Sequence, residues 1–241
     1  MIREPWLNTA CVALLLLVVL AGALFDEPYY ITLATKVTIL AMAGVGLNLA
    51  LGYGGLISFG HAAFFGIGGY VAGILASHAL NYEPLATWPV EISGTTQMLI
   101  IWPVAAVVSA LFAAVIGAFS LRTSGVYFIM ITLAFAQMIY YFAISWPSYG
   151  GEDGLSVYLR SEFPGLNTMN GASFFAICFV WLMAAIWGSS RMVNAGFGLA
   201  LQATKQNAER VEAVGISPFK IQLTAFVISG AITGVAGALY V

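Results

Sequence analysis

Residues 97–121 read QMLIIWPVAAVVSALFAAVIGAFSL, twenty-five positions without one charged side chain. A helix rises about 1.5 Å per residue, so this run exceeds the roughly 30 Å of hydrocarbon in a bilayer. The whole chain extends the pattern: 241 residues, 61% hydrophobic and 7% charged. A soluble domain carries roughly a quarter charged residues. Eight basic and ten acidic residues cannot coat a soluble particle of this size. Soluble enzymes are excluded, and a net charge of −2 leaves no basic stripe for nucleic acid. A β-barrel would alternate apolar and polar residues in segments of roughly ten. The apolar runs here are continuous, which makes the chain an all-α, polytopic transmembrane bundle of about seven spans. They fall near 8–25, 31–51, 56–80, 97–121, 124–146, 173–189 and 221–241, in a single membrane domain over 1–241.

Arg3 followed by the apolar run Cys11–Ala23 also suits a secretory leader cleaved at Ala21 and Ala23. That run is long for a leader and further spans follow, so it is read as an uncleaved first span. Cys11 and Cys178 both lie in apolar runs and read as packing residues.

Orientation follows from the charges. With the N-terminus in the cytoplasm, the inside segments hold Arg3, Arg122, Arg191, Lys205, Arg210 and Lys220, and the outside holds Arg160. Basic residues concentrate on the cytoplasmic side of membranes, so this orientation is the expected one. Asp26, Glu27, Glu83, Glu91, Glu152, Asp153 and Glu162 then lie outside. Lys36 sits within the second span and snorkels to the outer headgroups.

The helical pattern breaks at Gly52-Tyr53-Gly54-Gly55-Leu56-Ile57-Ser58-Phe59-Gly60-His61. Such a stretch, near 52–66, is either an ordinary turn between spans or a discontinuous helix. Non-helical backbone at membrane depth survives only when buried in protein or lining a wet cavity. Transporters use broken helices of this kind to hold polar substrates. Ser58 and His61 are therefore pathway candidates, with Asn48, Thr132 and Gln137 in neighbouring spans. Each has a plainer reading as a hydrogen-bond partner between helices. Gly66, Gly69 and Gly73 form a small-residue face suited to close packing, as do Gly230 and Gly234 in the last span.

Residues 190–220 form the only sizeable inside loop. A helix is expected over 199–214, with Leu199, Ala203, Val211 and Val214 on one stripe. Lys205–Glu209 and Gln206–Arg210 are its i,i+4 pairs. Gly215 and Pro218 end it. It is either a surface-lying helix or a docking element for a cytoplasmic partner.

No metal-ligand spacing and no catalytic set is present: His61 and His78 stand far apart without thiolates or paired carboxylates. There is no phosphate-binding loop, so any nucleotide chemistry belongs to another chain. No Asp or Glu lies within a span, which argues against a self-contained channel or proton-coupled transporter.

These blocks resemble a known family, the membrane permeases of bacterial branched-chain amino-acid ABC importers. Gly46-Leu47-Asn48-Leu49 leading to Ser58-Phe59-Gly60-His61-Ala62-Ala63-Phe64-Phe65-Gly66 is the most recognisable. Gly125-Val126-Tyr127-Phe128, Gly150-Gly151-Glu152-Asp153-Gly154-Leu155 and Glu212-Ala213-Val214-Gly215 are similar to further family blocks. The resemblance implies uptake of branched-chain amino acids across the bacterial inner membrane, with a related urea or short-amide permease as the alternative. It implies a second homologous permease, two ATP-binding subunits that carry the ATP-Mg, and a periplasmic binding protein. No cofactor, enzymatic activity or nucleic acid is implied for this chain itself. Asn207, Arg210, Glu212, Ala213 and Gly215 would couple to the ATPase. Family members continue beyond the point matching Val241, so further C-terminal spans are expected in the whole protein.

Overall fold

The computed structural model describes residues 5–25, 27–81, 84–86, 92–155, 161–164 and 168–241. Arg3, Asp26, Glu83, Glu91 and Arg160, used above to orient the chain, lie outside these. In chain order the helices are α1 (Pro5–Leu24), α2 (Pro28–Asn48), α3 (His61–Asn81), α4 (Met98–Ser120), α5 (Val126–Ile144), α6 (Gly171–Val193), α7 (Gly196–Gln206), α8 (Ala208–Ala213) and α9 (Pro218–Tyr240). A small antiparallel ribbon pairs Pro84–Ala86 with Ile92–Ser93. Six helices among the described residues are long and apolar enough to cross a membrane, while α1 carries a shorter apolar stretch, Val12–Gly22. The chain is an all-α polytopic bundle, and the third crossing begins at His61 rather than at 56.

At the centre lies α9, against which α2, α3 and α4 all pack. Membrane helices gain no hydrophobic drive from burying apolar faces against one another, so close van der Waals fit must hold them. Glycine supplies that fit here. A Cβ on Gly68 of α3 would fall on the Gly234 backbone, and one on Gly237 would fall on the Phe65 carbonyl. One on Gly230 would stand 2.6 Å from the Ala113 methyl. Gly230 and Gly234 are thus true contact points.

The stripe expected on α3 needs correction. Gly66 faces open space, with nothing within 4 Å of an added Cβ, whereas Gly69 does meet the end of α9, an added Cβ standing 3.3 Å from Val241 and 3.5 Å from the Gly237 carbonyl. Gly73 is buried. The face toward α9 is set by His61, Phe64, Gly68 and Gly69, at helical spacings i, i+3, i+7 and i+8. Gly66 lies more than half a turn from Gly68 around the helix.

The bundle has two distinct ends. At one, Lys205 reaches Gly52, Gly117 of α4 meets Leu223 of α9, and the turns bearing Arg122 and Arg191 lie here. At the other, the Thr95 N–H donates to the Leu75 carbonyl and the Met98 N–H to the Glu162 carbonyl. His78 Nε2 and the Tyr149 hydroxyl lie 2.9 Å apart at this end, beside Glu152 and Asp153. Arg122, Arg191, Lys205 and Arg210 thereby share one end, together with Glu209 and Glu212 of α8, while Glu152, Asp153 and Glu162 lie at the other.

The single helix expected over 199–214 is two helices. Asn207 adopts extended backbone (φ −158°, ψ 106°), and its side chain accepts the Arg210 N–H at 3.0 Å. Asparagine competes with helix through this capping bond, so it ends α7 and starts α8. The Lys205–Glu209 and Gln206–Arg210 spacings therefore straddle a break and are not i,i+4 neighbours. The apolar stripe also differs. Leu201 and Val211 are buried, whereas Leu199 is 65% exposed and Val214 77%.

Candidate functional site

Past Asn48, the α2 helix widens into one π turn, Leu49–Tyr53. Asn48 stands exposed at this joint, its side chain against Gly52, where a Cβ would collide with it. π turns recur at functional positions in membrane and soluble helices alike. Gly55 then takes φ +69°, a value that favours glycine. From there burial alternates: Leu56, Ser58 and Gly60 point inward, while Gly55, Ile57 and Phe59 point out. That period of two is the signature of extended chain. Ser58 Oγ accepts the Gly60 N–H at 3.1 Å, and a Cβ on Gly60 would sit 3.2 Å from the Thr132 carbonyl of α5.

His61 follows at the first turn of α3, 5% exposed. Its Nε2 lies 2.7 Å from Ser229 Oγ of α9, and that hydroxyl lies 2.6 Å from the Gly46 carbonyl of α2. A carbonyl cannot donate, so Ser229 gives its one hydrogen to Gly46 and the imidazole donates through Nε2. Three helices are tied by this chain of two bonds. Phe64 and Phe226 meet the imidazole edge-to-face at 5.5 and 5.4 Å between ring centres. Ser229 lies about 16 Å along α9 from Pro218, taking 1.5 Å per residue, so α3 begins near mid-depth of the bundle.

The structure therefore gathers Ser58, His61 and Thr132 around Gly60. It leaves Asn48 at the π turn and Gln137 exposed farther along α5. Ser229, Gly46 and Phe226 complete the cluster; they lie in blocks that resemble the family, but sequence reasoning gave them no site role, since Ser229 and Phe226 are more than 160 residues from His61 and Gly46 is in another span. Truncating the ring tests its part in the bundle. His61→Ala is expected to cost about 3 kcal/mol, because it opens a cavity between two phenylalanines. Ser229→Ala is expected to cost about 1 kcal/mol, and the double variant less than the sum. Unfolding in micelles measures all three; a stable His61→Ala protein would mean that the ring holds nothing together.

At the basic end, Asn207, Arg210, Glu212, Ala213 and Gly215 are all exposed and share one short projection formed by α8. Its far end closes by two bonds, Gly215 N–H to the Glu212 carbonyl at 2.8 Å and Ile216 N–H to the Val211 carbonyl at 3.2 Å. Gly215 carries φ +86°, the left-handed residue this closure demands. Ala200, Ala203, Arg210, Val211, Val214 and Ile216 are among the walls of an open groove of about 640 Å³. No group of three or more potential metal ligands occurs among the described residues.

A broken helix at depth and a capped projection beside it are features of membrane transport proteins, and comparison with known families is specific. The family described as branched-chain amino acid transport system / permease component matches residues 29–241. The chain belongs to this family. The high-affinity branched-chain amino acid transport system permease protein LivM of Salmonella typhimurium is 27% identical over 234 residues, covering 87% of this chain and 52% of that protein. LivM of Escherichia coli gives the same identity and coverage. The galactose/methyl galactoside import permease protein MglC of Salmonella typhimurium is 23% identical over 248 residues, 97% of this chain and 70% of that protein. This permease-family chain spans about half the length of the LivM relatives, at 52%. No solved structure matches it.

Proposed function

We propose that this chain is the membrane-embedded part of an ABC importer subunit that moves branched-chain amino acids across the bacterial inner membrane, with its N-terminus in the cytoplasm. A second homologous permease completes the pathway, two cytoplasmic subunits bind and hydrolyse ATP-Mg, and a periplasmic binding protein delivers substrate. The chain itself holds no cofactor and catalyses no reaction.

The observation that carries this reading is the α8 projection. Its five coupling residues are exposed at the basic end, while Val211 is buried beneath them as an anchor. Alternating access needs a two-state bundle biased from one end, and a rigid, capped projection is what an ATPase could grip. Apart from Lys36, the charged side chains of the spanning helices lie only in end turns, Arg191 in the last turn of α6 and Lys220 in the first turn of α9, which suits a zwitterionic or neutral solute. MglC, a galactose/methyl galactoside import permease protein by name, keeps a sugar as the second reading.

The test is uptake in proteoliposomes containing the whole importer. Labelled leucine, galactose and urea are each supplied with the cognate binding protein and internal ATP. ATP-dependent accumulation of leucine alone is the expected result. Accumulation of galactose or urea instead would replace the substrate assignment, and leucine flux without ATP would remove the importer reading altogether.

A further inference from the structure

Two side chains of α7, one turn apart, touch the broken segment. Leu201, fully buried, lies 3.5 Å from where a Cβ of Gly54 would stand. Lys205 lays its stem across Gly55, where a Cβ would meet Cγ at 2.8 Å and Cδ at 3.2 Å. Its ammonium then donates to the Gly52 carbonyl at 2.8 Å. That carbonyl sits in the final turn of the α2–π helix, where carbonyls lack intrahelical partners and carry the negative end of the dipole. A lysine is well matched to it. Only a residue without a side chain allows both the φ of Gly55 and a lysine stem passing so near.

We propose that Lys205 is a strut that fixes Gly52–Gly55 to α7 and passes movement of the α7–α8 projection to the broken segment. The far end of the segment is anchored as firmly as the near one. Gly60 lies on Thr132 of α5, and His61 is bonded through Ser229 to Gly46. Between these anchors the chain is extended and has little slack to absorb a displacement. Lys205 therefore acts as a positioning residue, linking the exposed projection to the junction of α2, α3 and α9. The mechanical half of this proposal stands on geometry alone; the coupling half rests on the importer reading.

Lys205→Met keeps the stem and removes the donor, and Lys205→Arg restores a donor. In the assembled importer in nanodiscs, Lys205→Met is expected to speed hydrogen exchange at the Gly54, Gly55 and Leu56 amides about fivefold. All three are hydrogen-bonded to the π turn. Leucine taken up per ATP hydrolysed is expected to fall about tenfold while hydrolysis itself continues. Lys205→Arg should return both readings to near the parent values. Unchanged exchange in Lys205→Met overturns the strut. Faster exchange with an unchanged uptake-to-ATP ratio overturns its role in coupling, as does failure of Lys205→Arg to restore the ratio. A parent importer that takes up no leucine would count against the transport reading, while the exchange measurement still decides the strut.

Discussion

Gly234→Leu is expected to unseat α9 from the bundle. The Gly234 backbone meets Gly68 directly on one side, and an added Cβ would collide with Ser109 on another. Ser109 has no flexible end to swing aside and the Ala105 carbonyl would stand 3.2 Å from the same Cβ, so relief requires α4 to move away from α9. Overpacking a tight core costs about 3 kcal/mol, and here the clash includes the Ser109 Cβ, which cannot rotate aside, so about 3 kcal/mol or more is expected. A folded domain has only about 5–15 kcal/mol in hand. The variant should fail to give a monodisperse protein in detergent, or should unfold far below the parent. Gly66→Leu is the matched control, since Gly66 opens onto nothing within 4 Å and should stay near the parent. Equal behaviour of the two variants would show that close helix approach is not what holds α9.

Gly215→Val should abolish uptake without disturbing the bundle. The residue is exposed at φ +86°, with nothing within 4 Å of an added Cβ, so its difficulty is conformational and not steric crowding. A β-branched residue held in the left-handed region costs about 1–3 kcal/mol. The chain would escape by opening the Gly215–Glu212 and Ile216–Val211 bonds, and the exposed projection would lose its shape. On the proposed reading, leucine uptake falls below about a tenth of the parent, while the binding protein captures leucine as before. Gly215→Asn, which tolerates this backbone, should retain most uptake. Full uptake by the valine variant would remove the projection from the coupling path.

The spans were legible because bilayer thickness imposes one length and one composition on every crossing. Residues 97–121 therefore gave α4 to within one residue at each end. Which face of a span meets its neighbour was less legible. Gly66 and Gly68 are equally small, and only the direction set by His61 and Phe64 distinguishes them. The α7–α8 break had a local signal: asparagine before Ala208-Glu209 is an N-cap followed by an acidic first turn. Counting apolar stripes across it concealed the break. The His61–Ser229–Gly46 chain had no local signal, because its members meet only once three helices have packed.

The π turn at Leu49–Tyr53 makes residue number itself a structural variable. It holds one residue more than the α-helical turn it replaces. Because the wider turn absorbs that extra residue, deleting one residue there would close it to ordinary helix and leave the chain beyond it on nearly the same face of α2. What would be lost is the opened turn itself, whose carbonyls accept the Gly54, Gly55 and Leu56 amides and, at Gly52, the Lys205 ammonium. A one-residue gap along this stretch should accordingly mark related sequences that keep the course of the helix but lack the joint, so alignment length, more than residue identity, is the trace that the joint leaves.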